Sequence, residues 1–350
     1  MTAMQSRILA YLPSPLGDSV LCTPALRALR RRFETDSITF LASPAVREAL
    51  SPCPFADSWI ELGGGNPLAV ATQLKEHRFT HALLFKNSFG SALVCLVAGI
   101  PKRIGYAREG RSVLLTDRLR PERLPNGRFR PVSMVDYYLA LPAAIRAGTA
   151  DRTLELHVDP VDLSTAKKRL PEIFAGDRPV VVLVPGGAFG PSKCWPSDRF
   201  AETADWLAET YGARIVVSVA ANDFERQIAG QICAAAKTTV VSLAERPISL
   251  GQLKALLARA DLVVANDTGP RHMTIALGRK IITLFGPNDP AWTQTGYPHE
   301  VQLIGHAPCA PCHKPTCRRD EHTCMLDITV QRVCEAARQL LPGDDRTEDA

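Results

Sequence analysis

The chain has 350 residues, of which 46% are hydrophobic and 22% charged, with a formal net charge of +5. That length calls for two ordinary domains, and that composition is of a soluble globular protein. No apolar run nears the ~18 residues of a membrane-crossing helix, and the start lacks the charged region, long apolar core and cleavage site of a secretory leader. The expected location is the cytoplasm.

Ser6 to Leu12 reads as a first strand and Pro13 to Gly17 as a turn. Asp18 opens a helix to about Arg32 on the period of Val20, Leu21, Ala25, Ala28 and Leu29. Ile38 to Ala42 is a second strand. Ser58 to Leu62 is strand-like and runs into Gly63-Gly64-Gly65. A helix over Leu68 to Glu76 follows, then a strand over Thr80 to Phe85 and an apolar, buried helix over Phe89 to Ala98. Lys102 to Tyr106 is a short strand, Met134 to Arg146 a helix and Leu154 to Val158 a strand. Between Lys102 and Arg130 there are nine Lys or Arg against three acids. Such an excess attracts nucleic acid, an anionic membrane face or a phosphorylated substrate, unless it is simply a solvated loop.

A joint falls within 160–178, and the strand–helix rhythm then restarts. Strands are expected over Val180–Val184, Ala213–Val219, Thr239–Leu243, Leu262–Ala265, Ile281–Phe285 and Val301–Ile304. Helices are expected over Ser197–Tyr211, Phe224–Ala236, Leu250–Ala260, Met273–Leu277 and Thr329–Leu341, with a frayed acidic tail from Gly343. Two successive α/β units, each a doubly wound parallel sheet, account for this alternation.

Four turns at strand ends carry the candidate chemistry. Asp18 begins the first helix straight after the first strand, where a carboxylate is either an ordinary N-cap or a general base facing a cleft. Gly17 alone is too little glycine for a dinucleotide fingerprint. Pro185 to Pro196 places Gly186, Gly187 and Lys193 between a strand and a helix, a loop that can approach phosphate closely and neutralise it, though without Walker A spacing. Asn266-Asp267-Thr268-Gly269-Pro270-Arg271-His272 leads from a strand into a helix, whose unpaired amides and dipole suit an anion. Capping is the plainer use of such residues. Phe285 to Pro290 is a turn on the same sheet edge. Cys309, Cys312, Cys317 and Cys324 have a metal-like opening spacing, so structural zinc stands beside free thiols or a facultative disulfide.

Taken jointly, these motifs resemble the ADP-heptose:lipopolysaccharide heptosyltransferases (glycosyltransferase family 9, heptosyltransferase II-like). The resemblance rests on Leu16-Gly17-Asp18 with Thr23-Pro24-Ala25-Leu26-Arg27, Arg103-Ile104-Gly105-Tyr106, Pro185-Gly186-Gly187-Ala188 with Lys193-x-Trp195-Pro196, Asn266-Asp267-Thr268-Gly269 with His272, Phe285-Gly286-Pro287-x-Asp289-Pro290, and the cysteine segment. It implies the GT-B architecture, two Rossmann-like domains facing a cleft: an acceptor-binding domain over 1–170 and a nucleotide-sugar-binding domain over 171–350. It implies Asp18 as the catalytic base, Lys193 on the donor diphosphate, and Asp267, Thr268 and Gly269 on the diphosphate and donor sugar, with His272 and Gly187 beside them. Glu225 would contact the ribose.

Two departures are Pro13-Ser14-Pro15 before the Gly-Asp turn, which bears on the acceptor, and Arg271 and Met273 flanking the histidine, which bear on the donor sugar. The implied reaction is an inverting transfer of heptose from ADP-heptose to an inner-core sugar of lipopolysaccharide, with no cofactor required for catalysis. Its partners are an ADP-sugar donor and a phosphorylated glycolipid at the cytoplasmic face of the inner membrane, met by a monomer without nucleic acid. The rivals are a nucleotide-sugar 2-epimerase of the same fold, a transferase using another sugar nucleotide or acceptor, and a nucleic-acid-binding module.

Overall fold

Runs such as Ile8-Leu9-Ala10-Tyr11 and Val180 to Val184 are apolar at every position, which suits strands covered on both faces. The computed structural model describes residues 6–63, 66–319 and 321–341, and in it both runs are buried central strands. The chain divides into two units, Met1–His157 with Ala291–Gly296, and Val158–Pro290 with Tyr297–Ala350.

The first unit contains β1 (Arg7–Tyr11), α1 (Leu16–Leu21), α2 (Thr23–Arg32), β2 (Ser37–Ala42), α3 (Pro44–Leu50), β3 (Ser58–Glu61), α4 (Pro67–Glu76), β4 (His81–Leu84), α5 (Phe89–Val97), β5 (Lys102–Tyr106), β6 (Asp117–Leu119) and α6 (Met134–Ala143). Among the described residues its sheet has six parallel strands in the order β3-β2-β1-β4-β5-β6. Leu9, Tyr11, Leu41, Ile60, Leu74, Leu84 and Cys95 belong to one core.

The second unit contains α7 (Pro160–Arg169), α8 (Pro171–Phe174), β7 (Val180–Val184), α9 (Ser197–Tyr211), β8 (Arg214–Val217), α10 (Asp223–Ala235), β9 (Val240–Ser242), α11 (Leu250–Arg259), β10 (Leu262–Asn266), α12 (Gly269–Ala276), β11 (Ile281–Phe285), β12 (Glu300–Ile304), α13 (Thr323–Leu326) and α14 (Val330–Leu340). Its described strands are also six and parallel, in the order β12-β11-β10-β7-β8-β9. Each unit is thus a doubly wound α/β sheet, as expected.

Several boundaries differ from the sequence reading. The helix from Asp18 to Arg32 is two helices, α1 and α2, meeting at Cys22. Pro24 has no N–H to continue the first helix and serves instead in the first turn of the second. Leu154 to Val158 lies outside the strands. It is tied to α2 by side chains: Glu155 N donates to Thr23 Oγ1 (3.1 Å), and Arg27 donates to the Thr153 carbonyl and the Glu155 carboxylate, both at 2.8 Å. The division falls at 157/158 instead of 170/171, because α7 packs on α11 and its Asp162 carboxylate lies where a Cβ on Gly251 would stand. Residues 291–296 return to the first unit, where the Gln294 carbonyl accepts from Ser133 Oγ at 2.5 Å. The helix α5 is not buried all round. Of the Gly63-Gly64-Gly65 turn only Gly63 is described, and the tail from Gly343 lies outside the described residues.

Candidate active site

In the second sheet the chain runs outward from β7 to β8 and β9, then resumes at β10 on the other side of β7. The carboxyl edge between β7 and β10 is therefore the point where an open sheet leaves a crevice for a ligand. Lys193 follows β7, and Asp267, Thr268 and Gly269 follow β10. The two loops are clamped by Asn266, whose Nδ2 donates to the Pro185 carbonyl at 2.6 Å. Glycine makes their approach feasible: a Cβ on Gly187 would stand 2.8 Å from Thr268 Cγ2. Trp195 fixes the far end of the loop. Its indole is buried, donates to the Ile328 carbonyl at 2.8 Å and packs edge-on against Phe200.

Within this cradle Lys193 Nζ donates to Asp267 Oδ2 at 2.7 Å and to the Asp267 carbonyl at 2.8 Å. Arg271 Nη1 reaches Asp267 Oδ1 at 3.1 Å, and its Nε donates to Glu300 Oε1 at 2.7 Å. Thr283 Oγ1 (2.6 Å) and Gln302 Nε2 (2.9 Å) complete the Glu300 carboxylate. Two cations and two carboxylates thus alternate through a buried chain of ion pairs. Burial pushes the Asp267 carboxyl up, but Lys193 and then Arg271 outweigh it and hold it down at about 2. Glu300 likewise is raised by burial and lowered, with the balance downward, by Arg271 and its hydrogen bonds.

Arg271, one of the two departures beside the histidine, is turned inward. Its guanidinium is fully buried, turned onto Asp267 and Glu300 and over the Phe285 ring.

Thr268 occupies the N-cap position of α12 without making a side-chain cap bond. Its Oγ1 is buried without a hydrogen-bond partner, as are Asn266 Oδ1, Asn288 Oδ1 and His272 Nδ1. A plain capping turn would have used the hydroxyl. Buried polar atoms at a helix N-terminus without protein partners are groups suited to a polar or anionic ligand. His272 lies in the first turn of α12. Burial, reinforced by Arg271, lowers its imidazole to about 3, so it is neutral near pH 7. Asn288, in the turn after β11, comes within 3.5 Å of Asp267 Oδ2. Glu225 is in the first turn of α10; its Oε2 accepts from Ala220 N at 2.8 Å and lies where a Cβ on Gly186 would collide.

The first sheet repeats the logic. Its order reverses between β1 and β4, and Asp18 sits in the first turn of α1, just past β1. Tyr138 of α6 is hydrogen-bonded to Asp18; burial and then the Asp18 charge push its phenol well above 10. Sequence reasoning missed this tyrosine, because a Tyr in an apolar helical stripe looks like core. It also counted Arg111 within the basic segment from Lys102 to Arg130, open to a partner or to solvent. Arg111 is fully buried, donating to the Tyr106 carbonyl (2.9 Å), the Lys86 carbonyl, Ser91 Oγ (3.1 Å) and Asn87 Oδ1 (2.7 Å). Gly105 leaves room for that guanidinium.

Cys309, Cys312, Cys317 and Cys324 are free thiols. Burial raises the Cys324 thiol, and the other three lie near enough to add to the rise. Among the described residues no group of three or more His, Cys, Asp or Glu is placed to hold a metal ion, so the structure adds no support to the zinc reading. The segment instead backs the cradle: the Pro315 carbonyl accepts from Ser192 N at 3.1 Å, and Cys312 N donates to the Pro287 carbonyl at 3.0 Å.

Comparison with known proteins agrees with this geometry. The model of Glycosyltransferase family 9 (heptosyltransferase) matches residues 68–322. Lipopolysaccharide heptosyltransferase 2 of Escherichia coli K12 is 31% identical, over 96% of this chain and 98% of its own. The solved E. coli ADP-heptose lps heptosyltransferase II superposes with a TM-score of 0.78 at 28% identity, covering 95% of this chain and 98% of that one. A family 9 glycosyl transferase from Veillonella parvula superposes at 0.81 with 19% identity, covering 96% and 97%. With a family match over more than half its length and the E. coli K12 relative covered nearly end to end, the chain belongs to glycosyltransferase family 9, the heptosyltransferases, and has their GT-B fold.

Proposed function

We propose that this heptosyltransferase of lipopolysaccharide core assembly takes its donor as ADP-heptose and its acceptor as an inner-core sugar, with inversion at the anomeric carbon. The observation that carries the reading is the cradle of Lys193, Asp267 and the unpartnered Thr268 hydroxyl at the β7/β10 switch point. The E. coli protein that superposes on this chain is an ADP-heptose lps heptosyltransferase II, which supports this choice of donor class.

In this reading Asp18 removes the proton from the acceptor hydroxyl as its oxygen bonds to the anomeric carbon from the face opposite the diphosphate. The bond from carbon to diphosphate oxygen breaks, and its electron pair leaves with ADP. Lys193, the Thr268 hydroxyl and the amides at the start of α12 receive that charge. Asp267 holds Lys193 until phosphate competes for it, and neutral His272 offers a hydrogen bond to a sugar hydroxyl without placing a charge there. Glu225 is assigned to the ribose and Gly187 to close backbone approach.

No helix among the described residues is long and apolar enough to cross a membrane. We assign the enzyme to the cytoplasm as a monomer that works on a glycolipid at the inner-membrane surface. The test is a mass-detected transfer assay with a panel of sugar nucleotides. Heptosyl product only with ADP-heptose and acceptor supports the reading. Conversion of donor in the absence of acceptor would indicate epimerase chemistry, which the family relationship does not favour.

A further inference from the structure

The helix α5, Phe-Gly-Ser-Ala-Leu-Val-Cys-Leu-Val, contains no charged residue. Its inner side, Ser91, Ala92, Val94 and Cys95, is buried in the first unit. Its outer stripe is Phe89, Leu93, Leu96 and Val97, exposed by 46%, 38%, 40% and 49%. These positions follow the i, i+4, i+7, i+8 spacing of a single helical face. A helix flanking a sheet normally turns a polar stripe to water, and one that is apolar all round is normally buried.

The short 3-10 turn Arg111–Leu114 packs beside α5, tied by Arg111 to Ser91, and adds Val113, 78% exposed. Of the eleven large apolar side chains exposed among the described residues, five lie in this patch, so it is not ordinary surface scatter.

The patch is bordered by cations. Lys102 is exposed five residues beyond the end of α5. Arg118 is exposed, and its Nε donates to the Leu115 carbonyl at the end of the 3-10 turn (3.4 Å). Arg120, Arg123, Arg128 and Arg130 are exposed further along, against Glu109, Asp117 and Glu122. An apolar stripe edged by basic side chains is the pattern that seats a protein in the headgroup region of an anionic bilayer, by apolar insertion and by attraction to lipid charge.

We propose that the outer stripe of α5, with Val113 and the flanking Lys102 and Arg118, is a docking surface for an anionic phospholipid leaflet. This rests on the reading above, in which the acceptor is a glycolipid: docking brings the first unit to the plane where that acceptor lies. The charge complementarity selects an anionic membrane over a neutral one.

Flotation of the full-length protein with phosphatidylcholine vesicles, with and without phosphatidylglycerol, tests it. Binding is expected only with phosphatidylglycerol. The triple variant Leu93→Ser, Leu96→Ser, Val97→Ser should reduce the bound fraction at least tenfold at low and high salt. Lys102→Glu with Arg118→Glu should reduce it chiefly at low salt. Val113→Asp, at an exposed single site, guards against misfolding of the triple variant and should weaken binding severalfold. Transfer to a delipidated acceptor oligosaccharide should be unchanged in all three. Vesicle binding by a protein that transfers no sugar would uphold docking while removing the transferase reading. Wild-type protein that ignores phosphatidylglycerol, variants that bind as well as wild type, or a wild-type dimer made monomeric by the triple variant would each overturn the proposal.

Discussion

The ammonium of Lys193 rests 2.7 Å from the Asp267 carboxylate, and the carbonyl of the same aspartate takes a second bond from it. The cation we propose for the leaving diphosphate is therefore held in place by Asp267. Replacing it removes a charge-assisted contact worth about 1.5–3 kcal/mol. Lys193→Ala should weaken ADP-sugar binding by roughly ten- to a hundredfold, read by calorimetry. An unchanged dissociation constant would refute the assignment.

For the base the expectation is different. Asp18→Ala should lower kcat by about two or more decades, the usual worth of general-base catalysis, with donor affinity little altered. Tyr138→Phe should lower kcat severalfold while leaving KM for the donor unchanged, since the phenol is hydrogen-bonded to the Asp18 carboxylate and belongs to the other unit from Lys193 and Thr268, the proposed donor site. A variant that loses donor affinity instead would mark Tyr138 as a packing residue only.

Arg271 and Glu300 are 29 residues apart yet share a fork of bonds at 2.7 and 3.2 Å, with both side chains almost fully buried. Arg271→Met should cost about 3–5 kcal/mol of stability, because it strands a buried carboxylate. Adding Glu300→Gln should recover part of that loss, and denaturant midpoints for the single and double variants give the coupling. Additive losses would mean that the two side chains act independently.

His272 makes stability depend on pH. Its folded-state value is depressed to about 3, while the unfolded chain titrates near 6.5. Below about 6.5 the unfolded state binds more protons, so stability falls with pH until the folded-state value is passed. Between pH 6.5 and 5 this one group should remove roughly 2 kcal/mol. His272→Gln should flatten that part of the profile. Asp267 works in the opposite sense. Its contribution is present above its ordinary carboxylate value and is lost only as pH falls toward about 2.

The cysteine segment is decided by composition. Zinc on Cys309, Cys312, Cys317 and Cys324 predicts one metal per chain by elemental analysis and four thiols protected from titration. Metal-free protein with those thiols reactive would leave a strap held by backbone bonds to Pro287 and Ser192.

Much of the architecture was legible because apolar runs and turn residues alternate at the α/β period, and because the site residues cluster at strand ends. Lys193, Asp267 and Thr268 were identifiable and do converge. What was hidden depends on pairing distant in sequence. Arg111 counted as one more surface charge of the basic segment, and only the fold supplies the carbonyls that bury it. Glu300 carried no local signal, since its meaning is Arg271. The strand expected at Leu154 to Val158 has the right residues but no neighbouring ladder, so side chains of α2 hold it. The stripe on α5 read as core because apolar periodicity cannot tell a covered face from a bare one.

Because Ala291–Gly296 belongs with the first unit, the polypeptide passes between the two units three times, at 157/158, 290/291 and 296/297. Neither half is a continuous stretch of gene. A fragment ending at His157 would lack the Gln294 carbonyl that receives Ser133 and Arg152, and a protease nick at the first passage would leave the halves covalently joined at the other two.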